Sequence, residues 1–119
     1  MWWGGNMTLA EMAAYKQVKP TPAPSDAPRV ITVLAGTWWL PDALYNALNV
    51  RAQRGRETYG TDLHARDERP TVVDFVQETL DSIMYGTKRR MQVRDLRRRV
   101  LWALLVVNQA IVTWIARRR

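Results

Sequence analysis

The sequence contains no cysteine, and only one histidine and one phenylalanine, among 119 residues. The absence of cysteine excludes disulfides, thiolate nucleophiles and thiolate metal sites. A single histidine excludes metal centres and catalytic triads that need two imidazoles. The first residues, MWWGGNMTLAEM, also lack the basic and apolar regions typical of a secretory signal. Any metal or acid–base chemistry must therefore come mainly from carboxylates.

Acidic side chains are nearly absent from the end of the chain. Residues 86–119 include ten Lys or Arg but one acid, Asp95, which gives this segment a net charge of +9. The preceding residues hold the other eight basic and ten acidic side chains, so they carry −2 of the total of +7. A dense cationic segment favours a membrane surface, a nucleic acid backbone or an acidic partner.

Apolar spacing and capping residues predict helices over most of the chain. Thr8 and Glu11 match an S/T-x-x-E capping box, and a second box spans Thr71 to Asp74. Pro41 suits the first position of another helix. These signals predict helices over residues 8–18, 41–56 and 72–85, and a last helix from about Arg89 onward.

Two segments interrupt this helical pattern. Residues 19–28 hold four prolines and predict an extended linker. The β-branched run RVITVL that follows predicts a strand, or an extended arm that pairs across a dimer.

The expected fold is all-α, a small helical bundle with an N-terminal extended arm and a long C-terminal apolar and basic helix. The expected domains are residues 1–28 (short helix and linker), 29–90 (helical core with a Tyr-Gly loop and an acidic helix) and 91–119.

An acidic stripe runs along the predicted helix over residues 72–85. Asp74, Glu78, Asp81 and Tyr85 fall within roughly 60° of one another at 100° per residue. Carboxylates at this spacing can share one Mg²⁺. The same stripe is also typical of the polar face of an ordinary amphipathic helix. His64, in the preceding loop, is either a solvated side chain or a general base.

The loop before this helix and the helix itself resemble small phage-encoded, MazG-like all-α nucleotide pyrophosphohydrolases over residues 40–90. In that layout an arginine-rich helix end leads to a Gly-x-x-x-Tyr-Gly loop and then to a helix with Glu-x-x-Asp and a tyrosine. The matching residues here are Arg51, Arg54, Gly55, Tyr59 and Gly60, followed by Glu78, Asp81 and Tyr85.

The resemblance implies a bundle, often dimeric, in which Mg²⁺ is held against a nucleoside triphosphate that water cleaves between its α- and β-phosphates. Glu78 and Asp81, with Asp74, are the expected metal ligands. The expected phosphate-binding residues are Arg54, Arg56, Tyr59, Tyr85 and Lys88. The family also carries a Glu-x-x-Glu pair on a preceding helix, and no such pair occurs in this sequence. An active enzyme and a degenerate, non-catalytic relative are therefore both open, as is the simpler role of Tyr59-Gly60 as a helix C-cap.

The last segment sets residues 100–116, mostly apolar, between two arginine triplets. Seventeen residues are near the lower limit for crossing a bilayer, and Asn108 and Gln109 lie at the centre. Three roles are open: a core or oligomer helix, a membrane helix, or a basic surface helix on lipid or nucleic acid. Expected membrane or partner contacts are Trp102, Leu104, Val107, Ile111, Trp114 and Ile115. The alternative to the enzyme is thus a structural subunit of a virion or membrane complex. Expected locations are the cytoplasm or a virion, or a membrane reached through this helix.

Overall fold

The structure is a computed structural model that describes residues 7–17, 22, 26–61, 63–64 and 71–118. Over these residues it has five helices and no strand. They are α1 (Leu9–Ala14), α2 (Val30–Ala35), α3 (Asp42–Tyr59), α4 (Thr71–Gln92) and α5 (Leu96–Ala116). The chain forms two compact units: unit 1 is Met1–Gln17 with Pro70–Arg119, and unit 2 is Val18–Arg69. The predicted all-α class with a long C-terminal apolar helix is confirmed.

Helix α1 begins with the capping box that the sequence predicts. The Thr8 hydroxyl accepts a hydrogen bond from the Glu11 amide at 3.1 Å, and the Glu11 carboxylate accepts one from the Thr8 amide at 3.1 Å. The bond from the Thr8 backbone, and then the one with its side chain, hold the pKa of Glu11 below its ordinary value. The helix ends at Ala14, earlier than the predicted residue 18.

Gln77 of α4 holds the short helix α1 in unit 1. Its side-chain amide donates to the carbonyl oxygens of Met12, at 3.0 Å, and Tyr15, at 2.6 Å. These carbonyls lie at the end of a six-residue helix that is too short to be stable alone. The core beneath them consists of three fully buried side chains, Met12, Val73 and Val76.

Helix α4 continues well past the predicted end at Tyr85. Gly86, the residue after the predicted end, lies inside the helix and is buried. Only the three residues 93–95 separate α4 from α5, where the Asp95 carboxylate caps α5 by accepting from the Arg97 amide at 3.0 Å. The last helix therefore starts at Leu96 rather than Arg89, and the predicted domain boundary at residue 90 falls within α4.

In unit 2 the predicted strand is wrong, because residues 30–35 form helix α2. Within the described part of the chain, the backbone of this segment pairs with another segment at its start, where the Val30 amide donates to the Leu63 oxygen at 3.1 Å beside an isolated bridge between Arg29 and His64. An isolated strand would leave its other amides unpaired, whereas a helix satisfies them internally. The environment has overridden the β-propensity of Val and Ile. Of the predicted linker, residues 19–21 and 23–25 lie outside the described part.

Helix α3 follows Pro41, which is the N-cap rather than the first helical residue, and packs against α2. Gly60 ends α3 with φ 75°, the left-handed conformation that glycine adopts without strain. The alternative role of Tyr59-Gly60 as a helix C-cap is thus confirmed, although the Tyr59 ring is 54% exposed. His64 is buried rather than solvated.

Candidate functional site

The contact between α4 and α5 is made by small and polar side chains. The Thr113 hydroxyl, which is buried, lies 2.7 Å from the Thr79 hydroxyl and 2.8 Å from the Gln109 carbonyl oxygen. The Thr79 hydroxyl in turn donates to the Val76 carbonyl at 2.9 Å. Hydroxyls that bond to backbone or to each other can be buried at little cost. The seam, as we call the Thr79–Thr113 and Gly86–Val106 contacts, is therefore polar in part.

Gly86 sets how closely the two helices approach. A Cβ atom built at this position would lie 2.7 Å from Cγ2 of Val106. This separation is well below van der Waals contact, so any other residue would push α5 away or force a side-chain shift. A small residue at such a contact lets two helix backbones approach closely.

The opposite side of α5 is apolar and open to solvent. Leu104 and Ile115 are both 63% exposed, and only 6% of the apolar stretch of α5 is buried in the chain. We call this the outward face; its members are Val100, Leu101, Leu104, Val107, Ile111, Trp114 and Ile115. Five of the six predicted membrane or partner contacts lie on it. The sixth, Trp102, is half-buried and faces α4.

Arginines flank the outward face at both ends. On a helix at 100° per residue, Arg97 and Arg118 lie in the same sector as Val100 and Ile111. Near the C-terminal end, the Arg117 guanidinium lies 3.6 Å from the centroid of the Trp114 ring, within cation–π distance. The site is thus an apolar strip with a cationic group at each end.

A cleft of about 570 Å³ opens along one side of the α4–α5 pair. Its walls include the Trp102, Leu105 and Val106 side chains of α5, and the Tyr85 and Arg89 side chains of α4. Gly86 also lines this cleft, next to its close contact with Val106. The lining of the cleft is mainly apolar, so apolar surface extends from α5 onto this side of unit 1.

The predicted metal ligands all lie on α4. Asp74 is half-buried, while Glu78 and Asp81 are exposed. Glu78 and Asp81 project roughly 90° and 150° away from Thr79 and Gly86 at 100° per residue, so this acidic stripe is turned away from α5. No group of three or more His, Asp or Glu side chains that could hold a metal ion occurs among the described residues. The Mg²⁺ site stays a prediction.

The predicted phosphate-binding residues are divided between the units. Arg54, Arg56 and Tyr59 lie in the last two turns of α3 in unit 2, and all three are exposed. Tyr85 and Lys88 are exposed residues of α4 in unit 1. Within unit 1, Tyr85 and the acids share one helix, as the sequence indicates. A phosphate site built from both groups remains a prediction.

The seam was not predicted from the sequence. Thr79 and Thr113 are ordinary helical residues whose pairing across 34 positions leaves no local signal. Gly86 does give a signal, because a glycine inside a helical pattern marks either an end or a close approach.

No protein-family model, curated protein or solved structure matches the chain.

Proposed function

We propose that this chain is a non-catalytic subunit that docks on a lipid bilayer through the outward face of α5. The observation that supports it is the apolar surface that this helix leaves uncovered. Leu104, Ile111 and Ile115 face solvent. The side that faces α4 mixes Thr113 and Gln109 with Trp102 and Val106. A surface helix of a soluble protein instead has its most apolar side on the core.

The extent of the outward face calls for a covering partner. Its seven side chains extend over just more than four turns of α5, from Val100 to Ile115, with the exposed Asn108 among them. Extended apolar surface of this kind marks sites of association with proteins or membranes. Helix α5 is also the one described helix that is long and apolar enough to cross a membrane by length and composition.

A second copy of the chain fits this face less well than lipid does. Antiparallel pairing of two α5 helices would bring Arg97–Arg99 of one copy beside Arg117 and Arg118 of the other. Parallel pairing would set each cluster against itself. Like charges at these distances repel, and α5 itself carries no acidic side chain that could offset the arginines at either end. A bilayer covers the apolar side of α5 without bringing the arginines of two copies together.

The docking role is tested by flotation with vesicles made from phosphatidylcholine and phosphatidylserine. We expect the wild-type chain to float, and the L104S/I111S variant to stay at the bottom of the gradient, because two apolar contacts are replaced by hydroxyls. The matched control is L44S/V50S, which alters two exposed apolar residues of α3. The control should float like the wild type.

Three results bear directly on this role. Circular dichroism should give the same helix content for all three proteins, because each changed side chain is exposed. Flotation of L104S/I111S at the wild-type level would contradict docking through the outward face. A wild-type chain that stays soluble beside the vesicles would contradict membrane docking altogether.

The enzymatic alternative has a separate test on the acidic stripe. A Mg²⁺ site at Glu78 and Asp81 would raise the melting temperature with added Mg²⁺ or Mn²⁺, and E78Q/D81N would remove the rise. The docking role predicts identical melting with and without metal for both proteins. Pyrophosphate release from a panel of nucleoside triphosphates, absent in E78Q/D81N, would overturn the non-catalytic assignment.

A further inference from the structure

We infer that the docked chain lies in the plane of the bilayer surface and selects anionic lipid headgroups. This inference rests on the proposed membrane docking and adds two properties to it: the chemistry of the lipid and the orientation of the hairpin formed by α4 and α5. It follows from the positions of the charged side chains around the two helices.

The cations of α5 are placed to meet headgroups while the outward face is buried. Arg97 precedes the first apolar turn and Arg118 follows the last one, and both share the sector of the outward face. An amphipathic helix in the interface lies roughly 5–10 Å deep, at the boundary of headgroups and acyl chains. Arginine side chains are long enough to reach the phosphate layer from that depth.

The Trp114–Arg117 pair adds to this arrangement. Indole rings concentrate at the membrane–water interface because one edge is apolar and the N–H is polar. Stacking at 3.6 Å fixes the Arg117 guanidinium over this ring. The pair therefore sets an indole and a cation side by side at the C-terminal end of the outward face.

Asp81 of the acidic stripe lies away from the lipid in this orientation. It occupies the side of α4 farthest from α5, while Glu78 lies at the flank, and the axes of packed helices are about 8–10 Å apart. This distance is similar to the Debye length of about 8 Å at physiological ionic strength. Anionic headgroups thus face the arginines of α5 and are screened from the acidic stripe.

The seam argues for the in-plane orientation over a transmembrane one. If α5 crossed the bilayer with its seam intact, α4 would enter the hydrocarbon with Glu78, Asp81 and Lys88 exposed on it. Ionised side chains are costly there. If α5 crossed alone, Thr113 and Gln109 would lose α4 and face lipid. Lying flat avoids both outcomes.

The experiment measures partitioning of the full chain onto two kinds of vesicle, pure phosphatidylcholine and phosphatidylcholine with phosphatidylserine. Each arginine near an anionic surface contributes roughly a fivefold gain in partitioning. We therefore expect R97Q/R118Q to lose roughly 25-fold on anionic vesicles at physiological ionic strength and little on neutral ones. The matched control K16Q/R51Q, with two exposed cations outside α5 changed, should partition like the wild type.

Orientation is measured on the same samples by an alkaline carbonate wash and by quenching of tryptophan fluorescence with lipids brominated at different depths. An in-plane helix is released by the wash, and shallow bromines quench the wild-type emission more than the W114F emission. Retention after the wash, or quenching by bromines at the bilayer centre, would overturn the in-plane orientation.

The outcomes separate this inference from the docking role. Equal partitioning of the wild type onto both vesicles would refute headgroup selection and leave docking intact. Loss of binding in L104S/I111S, with R97Q/R118Q unchanged, would do the same. No binding to either vesicle refutes both, and a stable homodimer in solution without lipid would identify a second copy as the occupant of the outward face.

Discussion

Replacement of Gly86 by alanine tests the close approach of α4 and α5. Alanine is favoured over glycine in a helix interior by about 1 kcal/mol. The added Cβ, however, would lie 2.7 Å from Cγ2 of Val106, whose β-branched side chain has little rotamer freedom in a helix. Overpacking of this kind costs about 1–3 kcal/mol. We therefore expect G86A to lower the free energy of unfolding by about 1 kcal/mol, because the clash exceeds the gain in propensity.

The same substitution should change sign when the opposing methyl groups are removed. In a V106A background the clash is absent, so G86A should raise the free energy of unfolding by about 1 kcal/mol. The double-mutant cycle then gives a coupling of about 2 kcal/mol, within the range for residues in contact. Urea unfolding, followed by circular dichroism for all four proteins, measures each term. Stabilisation by G86A of equal size in both backgrounds would refute the close approach at this seam.

Three further predictions concern hydrogen bonds within unit 1. T113V should lower the free energy of unfolding by about 1–2 kcal/mol, because the Thr79 hydroxyl loses its hydrogen-bonding partner. T79V/T113V should recover part of this loss, because no hydroxyl is then left unpaired. If urea unfolding shows that the effects of the two substitutions simply add, the pairing is contradicted. Q77A should abolish amide protection in α1 while leaving α5 protected in hydrogen exchange, and unchanged α1 protection would show that other contacts hold this helix. The lowered pKa of Glu11 means that the capping box stabilises α1 fully above the ordinary pKa of 4.5 and is lost as pH falls through the lower folded pKa. E11Q should remove this acid-dependent loss of α1 order in an NMR titration, and an unchanged titration would assign the loss to another group.

The sequence predicts the all-α class because its strongest signals are local. The capping box of Thr8 and Glu11 needs only four residues. Gly60 ends α3 through its own backbone conformation, which is left-handed. The signal of RVITVL is local too, yet it fails. Strand propensity has meaning only beside a partner strand, and Leu63 provides one hydrogen bond rather than a ladder. Without that ladder the segment forms α2.

The site depends on which side of α5 meets a neighbour, and a helical projection does not contain this information. Projection correctly separates Gln109 and Thr113 from Leu104 and Ile111. The usual expectation that the most apolar side packs inward then fails, because Thr79 and Gly86 of α4 meet the side that carries Thr113 and Val106. These two residues meet α5 only after the chain reverses at residues 93–95. The contact between α4 and α5 is a tertiary one, so no short stretch of the sequence contains the residues of both helices that touch.

Unit 1 is discontinuous in the chain, and this has a consequence for the order of events during synthesis. Helix α1 is translated before α4, yet its carbonyl acceptors at Met12 and Tyr15 wait for Gln77, more than 60 residues later. Residues 18–69 are complete before that partner exists, so closing the intervening loop carries an entropic cost that only the later contacts can offset. In a nascent chain, α2 and α3 can therefore form while α1 has no partner. Helix α1 joins its own unit only after α4 has left the ribosome.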